Sequence, residues 1–197
     1  MSQQQPGRSK SRAATLLVVA AFCILLAYVL LVDARRAPAP DPEATPTPWP
    51  ILGWQMDDLQ SIHVTDGSVT TRLDFVDGEW RVTESAEATG QSAPADPRTI
   101  YLPMLELSAL EARLLVYNQV TDKAAYGLDA PTLTISVETR SGEKARLYAG
   151  RETPDGTAFY LQRDGDPRLY IVDHYKIELF QEWLSAPPFK ATPAADG

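Results

Sequence analysis

Residues with well-known catalytic or metal-binding chemistry are few in this chain of 197 residues. There are two histidines, His63 and His174, and one cysteine, Cys23, which lies in an apolar stretch and leaves no thiol nucleophile elsewhere. The adjacent pair Asp173-His174 has the composition of an oriented base or of two metal ligands. At the start of a helix such a pair is more often a cap followed by a solvated neighbour, and we favour that interpretation.

Paired carboxylates are a second source of chemistry. Asp57-Asp58, or Glu152 with Asp155, can act as an acid and a base only where a cleft raises one pKa. With 26 acidic residues, such pairs are expected by chance. The run Asp164 to Asp166 resembles part of a calcium loop, but Pro167 follows it and the downstream acidic ligand is missing. We therefore predict a hairpin turn there.

Sequence signatures of nucleotide and hydrolase chemistry are absent. The chain contains no G-x-x-x-x-G-K-[ST], G-x-G-x-x-G, G-x-S-x-G or H-E-x-x-H motif. A net charge of −8 argues against a general nucleic-acid partner. We predict no catalytic residue, no metal ligand and no cofactor, and hence a protein that is not an enzyme. A carboxylate-dependent enzyme acting on an envelope polymer is an alternative.

The elements that position these residues begin with a strongly apolar segment. Ala13 to Val32 contains 20 residues without a charge, which is about 30 Å of helix and enough to cross a hydrocarbon core. Three basic residues precede it and two follow. This balance favours an N-terminus, residues 1–12, in the cytoplasm and places most of the chain on the outer side of the cell membrane. A cleaved signal peptide is the alternative, although its apolar run is usually shorter. We predict a single-pass anchor that contacts the lipid bilayer through residues 13–32.

A proline-rich spacer, residues 33–50, follows the predicted span. Six of the 16 prolines lie between Ala37 and Pro50, so this segment should be extended at about 3.1 Å per residue. Residues 51–189 are predicted to form one extracytoplasmic α+β domain, and residues 190–197 a disordered tail. Trp49 and Trp54 are expected to seal the base of that domain.

Alternation at period two predicts the strands. Five dipeptides can supply the positive φ angle of a hairpin turn: Asp66-Gly67, Asp77-Gly78, Ser141-Gly142, Asp155-Gly156 and Asp164-Gly165. Between the turns, apolar and polar residues alternate as in half-buried strands. The alternation places Trp80, Leu133, Ile135 and Leu147 in the core, and helix periodicity adds Phe180.

Two segments predict helices. The first begins near Asp96-Pro97 and contains Pro103, which predicts a kink or a late start. The second runs from His174 to Leu184, with Ile177, Phe180 and Leu184 on its buried stripe. Strand runs punctuated by single helices predict an α+β fold of antiparallel hairpin units, each covered by a helix. Their order resembles a duplicated β-β-β-α unit.

Short motifs occur in a fixed order between Leu59 and Leu184. They are Gly-x-Trp ending at Trp80, Tyr-Gly-Leu-Asp-x-Pro from Tyr126 to Pro131, and Gly-x-x-x-Pro within LYAGRETPDG. Together they resemble the domain-of-unknown-function 4340 family of bacterial membrane-anchored proteins. The resemblance implies an N-terminal membrane span and carries no catalytic residues. Some family members accompany ABC-type export or gliding-motility components, which implies, as an alternative, an accessory role beside a transporter.

The tyrosine-glycine motif also has a structural explanation. Thr121 or Asp122 can cap a short helical turn, and Gly127 can end it in the left-handed conformation, which asparagine would also tolerate. Leu128 then fills the core, and Pro131 begins the next strand. A ligand site here is the less favoured alternative. The residues of this structural motif are Tyr126, Gly127, Leu128, Asp129 and Pro131, and Trp80 belongs to the same ordered set.

The sequence therefore predicts a membrane-anchored, non-catalytic binding or assembly module of the bacterial cell envelope. Its partners would be the bilayer and a membrane protein or transporter complex. An exposed apolar patch on the domain would favour assembly. A cleft lined by carboxylates would favour an enzyme.

Overall fold

Apolar residues at every second position, separated by glycine turns, build one large antiparallel sheet in the computed structural model. The structure describes residues 49–86 and 92–190. None of the helices within those two ranges is long and apolar enough to cross a membrane. The predicted span 13–32, the N-terminus, spacer residues 33–48 and tail residues 191–197 lie outside the described residues.

Within residues 49–86 and 92–190 the sheet has nine strands in the order β5-β4-β3-β2-β8-β9-β10-β11-β7, and β1 pairs with β6 separately. The strands are β1 (Trp49–Pro50), β2 (Leu59–Thr65), β3 (Thr70–Val76), β4 (Glu79–Glu84), β5 (Ala93–Pro94), β6 (Glu111–Ala112), β7 (Leu114–Tyr117), β8 (Leu133–Thr139), β9 (Lys144–Glu152), β10 (Ala158–Arg163) and β11 (Leu169–Asp173). The α-helices are α1 (Pro97–Ser108) and α2 (His174–Ser185), and the 3-10 helices are η1 (Met56–Asp58) and η2 (Ala124–Tyr126).

One face of the sheet carries the core. Ile62 of β2 lies in register with Leu73 of β3 and Val137 of β8, and all three are buried. The buried Thr71 hydroxyl donates a hydrogen bond of 2.7 Å to the Trp183 carbonyl, which ties α2 to this face. The predicted strand phase is therefore confirmed, because the alternating residues point to the faces that the sequence assigns to them.

The two halves of the chain join into one sheet rather than forming separate hairpin units. β2 and β8 are neighbours at the junction, and β3-β4-β5 and β9-β10-β11 extend outward from them. α2 packs against β2 and β3 of one half and against β10 and β11 of the other. The expectation that each unit has its own covering helix is thus corrected, since α2 spans both halves.

The helices differ from their predicted details in two respects. Asp96 caps α1 by accepting a hydrogen bond of 3.0 Å from the Arg98 amide, and the helix continues through the buried Pro103, so the late start does not occur. In α2 the buried residues are Ile177, Phe180 and Trp183, whereas Leu184 is half-buried. Residues i+3 and i+4 lie on the same side of a helix, so both Trp183 and Leu184 are compatible with the stripe, and in the structure Trp183 is the one fully covered.

Both ends of the described region form backbone hydrogen bonds or strand pairs with the rest of the domain. Trp49 and Pro50, assigned by sequence to the spacer, form β1 and pair with β6. The Lys190 amide donates a hydrogen bond of 2.9 Å to the Pro94 carbonyl. Trp54 packs against the core as expected, but Trp49 remains exposed and does not seal the base of the domain.

Candidate functional site

The face of the sheet opposite the core is polar. The residues that alternate with the core positions lie in register across four neighbouring strands, β3, β2, β8 and β9. The first cross-strand row is Arg72, His63, Ser136 and Arg146, and the second is Asp74, Ser61, Glu138 and Lys144. Three strand spacings separate the ends of each row, which is about 14 Å. A long ligand can therefore contact several strands at once.

An open groove of about 400 Å³ lies on this face. Its charged lining consists of four basic residues, Arg72, Lys144, Arg146 and Arg163, and two acidic residues, Glu138 and Asp164. The sequence from Trp49 to Lys190 has the opposite balance, with 13 Lys and Arg against 22 Asp and Glu. The groove is thus a locally basic surface on an acidic domain.

Two basic residues of the groove, Arg72 and Lys144, already contact carboxylates, and one of these carboxylates, Asp74, lies beside the groove. Arg72 Nε lies 3.1 and 3.0 Å from the two carboxylate oxygens of Asp74, and Lys144 Nζ lies 3.2 Å from Glu138 Oε2. Burial by itself would raise the pKa of Asp74, but hydrogen bonds from Thr83, Arg72 and Ser61 outweigh it and the pKa is lowered. The bond to Asp74 likewise raises the pKa of Arg72. Asp74 and Arg72 therefore stay charged near neutral pH, which suits charge recognition better than proton transfer.

The two histidines lie in different parts of the structure. His63 lines the groove, on the outer face predicted for it, beside Arg72 and Ser136. The ring of His174 lies 5.0 Å from that of Phe159, and its Nδ1, 3.9 Å from Glu152, has no hydrogen-bond partner among the described residues. The expectation of a side-chain cap at Asp173 is corrected, because that carboxylate lies 3.3 Å from Arg113 and makes no capping bond.

The tyrosine-glycine motif forms the predicted helical turn. Asp122 accepts a hydrogen bond of 3.0 Å from the Ala125 amide, and Gly127 ends η2 with φ of 72°. Leu128 is buried as predicted, Asp129 is exposed, and Pro131 lies two residues before β8.

Sequence reasoning missed a backbone contact between this motif and Gly150 in β9. A Cβ at Gly150 would lie 2.0 Å from the Tyr126 carbonyl oxygen, and a Cβ at Gly127 would lie 2.8 Å from the Arg151 amide nitrogen. The Arg151 guanidinium also donates a hydrogen bond of 2.8 Å to the Ala124 carbonyl. The Gly-x-x-x-Pro motif that begins at Gly150 therefore provides the surface on which the tyrosine-glycine motif packs. The sequence signal for this contact is a glycine, Gly150, inside a strand pattern.

Three tyrosines cluster beside this contact. The ring of Tyr126 lies 4.9 Å from that of Tyr160 and 6.0 Å from that of Tyr117. A hydrogen bond with Tyr117 raises the pKa of Tyr126 to about 12, so its hydroxyl remains protonated. This phenol packs against neighbouring rings, as a structural residue does.

Trp80 lies apart from the tyrosine-glycine motif. It is in β4, where its ring meets that of Phe75 edge to face at 5.6 Å, and β3, β2 and β8 separate β4 from β9. It is half-buried against the core, not fully buried as predicted.

These features define an α+β protein with a nine-stranded sheet, helices on its core face and a polar outer face. The family model described as "Domain of unknown function (DUF4340)" matches residues 54–193, and the chain belongs to that family. Neither a curated protein nor a solved structure gives a significant match.

Proposed function

We propose that the protein is a non-catalytic binding module of the bacterial cell envelope, held on the outer side of the membrane by residues 13–32. The observation that supports this proposal is the basic groove on the open face of an acidic domain. Its ligand is a polyanion that presents phosphate or carboxylate groups along its length.

The arrangement of charges favours an extended anionic ligand. Arg72 and Arg146 end one cross-strand row, about 14 Å apart, with His63 and Ser136 between them. A flat row with a guanidinium at each end matches repeated anionic groups better than one small molecule. Since the rest of the domain is acidic, other surfaces repel the same ligand and direct it to the groove.

Binding of defined polyanions tests this function. Full-length protein in zwitterionic nanodiscs is titrated with inorganic polyphosphate and, separately, with polyglutamate. We expect Arg72→Gln/Arg146→Gln to weaken binding of the preferred polyanion by about tenfold or more, since two charge contacts are lost. The two titrations distinguish phosphate from carboxylate chemistry.

Arg98→Gln/Lys190→Gln is the matched control, because it removes two exposed basic charges away from the groove. It should leave the affinity nearly unchanged. An equal loss in both double variants, or no binding by wild type, would contradict the proposed groove.

A second candidate function is that of an accessory subunit which assembles with a membrane protein such as an ABC-type exporter. It is favoured by α1, where Ile100, Met104 and Leu107 are buried while Tyr101, Leu102 and Leu105 are 55%, 45% and 43% exposed. Such a stripe on the outer side of a helix fits an apolar protein surface. The proposed anchor restricts the available partners to proteins of the same membrane.

Site-specific photo-crosslinking in native membranes tests this assembly role. A photoreactive residue at Leu102 should give one discrete adduct with an integral membrane protein, whereas the same residue at the exposed Asp129 should not. No adduct at Leu102, or identical adducts at both positions, would count against the accessory role.

A further inference from the structure

His63 lies in the middle of the basic groove. It is half-buried on β2, directly opposite Arg72 of β3 on one side and Ser136 of β8 on the other. With the residues that the structure describes, its ring makes no hydrogen bond or ion pair. The ring nitrogens of His63 are therefore available to a ligand in the groove, whereas Nδ1 of His174 is buried.

The charged groups around His63 come from both neighbouring strands. Arg72 lies directly opposite it, and Asp74 of β3 and Glu138 of β8 occupy diagonal positions on the same face. Arg72 holds Asp74, and Lys144 holds Glu138, so both carboxylates already have a basic partner. The remaining charged residues of the groove come from β9 and from the end of β10, and they are Arg146, Arg163 and Asp164.

A histidine at this position can supply a positive charge that is present only when it is needed. Residues directly opposite on neighbouring strands have Cβ atoms about 5 Å apart, so a permanent cation at position 63 would repel Arg72 in the absence of a ligand. A neutral imidazole avoids that repulsion. Histidine is the side-chain type that changes charge between pH 5 and 8, and a nearby anion favours its protonated form.

We propose that His63 gains a proton when the polyanion binds, so that the groove holds its ligand more tightly as the pH falls. This inference rests on the function proposed above, because it concerns the same groove. The proton comes from solvent, and the charged ring supplies a third cation between Arg72 and Arg146. Both of its N–H groups can then donate to phosphate or carboxylate oxygens. Because binding and protonation are linked, conditions that favour the charged ring also favour binding.

The affinity at two pH values tests this coupling. Full-length protein in zwitterionic nanodiscs is titrated with whichever polyanion it binds better, polyphosphate or polyglutamate, at about pH 8 and about pH 6 and at constant ionic strength. If the ligand prefers the charged ring about tenfold, the affinity of wild type should rise about fivefold over this range. His63→Gln should lack this rise, because glutamine does not titrate.

His174→Gln is the matched control, because it removes the other histidine of the chain, which does not line the groove. It should keep the fivefold rise. Calorimetric titration of wild type in two buffers with different heats of ionisation gives a measurement that needs no variant. Near pH 7, about half a proton should be taken up for each groove that binds ligand.

The possible results distinguish a failure of this coupling from a failure of the groove. Equal wild-type affinities at both pH values, an equal rise in His63→Gln, or binding without proton uptake would overturn the role of His63 and leave the groove in place. Loss of the rise in His174→Gln would also overturn it. No binding by wild type at either pH would contradict the groove itself, and the role of His63 with it.

Discussion

At the residue scale, Gly127 and Gly150 have two different reasons to be glycine. Gly127 has a positive φ of 72° and also lies too close to Arg151 for a Cβ, whereas Gly150 is in a strand and is limited by the Tyr126 carbonyl alone. The left-handed conformation by itself would let asparagine replace Gly127. The 2.8 Å approach to the Arg151 amide removes that tolerance, since asparagine also has a Cβ.

The loss of stability on substituting these glycines should follow the space available for a Cβ atom at each position. We expect Gly150→Ala to reduce the free energy of unfolding by about 2–3 kcal/mol through overpacking, and both Gly127→Ala and Gly127→Asn by about 1 kcal/mol or more. Urea denaturation measures each change. Gly142, with φ of 85° and no atom within 4 Å of its Cβ position, is the control, and Gly142→Asn should be mild. A cost for Gly150→Ala no larger than that for Gly142→Ala would show that β9 can move away from η2.

Asp166 gives the domain a pH-dependent contribution to stability. Hydrogen bonding by the Arg168 guanidinium lowers its pKa from 3.8 to about 2, and the Tyr170 hydroxyl also donates to it at 2.9 Å. Because the pKa is lower in the folded state, this stabilisation is complete above about pH 5 and is lost as the pH falls toward 2. Asp166→Asn should therefore flatten the decline of the urea midpoint between pH 5 and pH 2. Asp129→Asn, which also replaces one carboxylate by an amide but at an exposed position, is the matched control.

The sequence predicted individual turn and cap residues well but not the residues that meet across the fold. The five turn glycines all have positive φ, and Asp96 and Asp122 form the caps expected of them. Those features depend on neighbours within a few residues. The Gly150 contact and the basic groove depend on which strands are adjacent, which local patterns do not specify.

At the element scale, α2 holds the two halves of the sheet together. Its buried stripe consists of Ile177, Phe180 and Trp183, and the Trp183 carbonyl accepts the hydrogen bond from Thr71 in β3. The strands with clear alternation were predicted correctly. β5, β6 and β7 were missed because two to four residues are too few to show a period.

Replacing Trp183 should be far more damaging than replacing Leu184. Trp183→Ala removes a fully buried indole and should cost about 3–5 kcal/mol in the free energy of unfolding. Leu184→Ala should cost less than half as much, because Leu184 is half-buried. Urea unfolding followed by circular dichroism gives both values. Equal costs would mean that the helix is rotated from the orientation described above.

At the scale of the whole molecule, the groove exists only when both halves of the chain join. Arg72 and His63 come from β3 and β2, whereas Glu138, Lys144 and Arg146 come from β8 and β9. The junction between β2 and β8 places them on one surface. Each cross-strand row of the groove takes two residues from each half of the described domain. Because local sequence patterns do not show which strands are adjacent, the sequence predicted a binding module but not the residues that bind.

The proposed membrane topology predicts where a protease should cut. If residues 13–32 anchor the chain with its N-terminus in the cytoplasm, a protease added outside cells with permeabilised walls reaches the proline-rich segment and releases an acidic soluble fragment. Cleavage should fall N-terminal to β1, within residues 33–48. Mass spectrometry of the fragment ends locates the cleavage. A domain fully protected from the external protease would contradict the orientation.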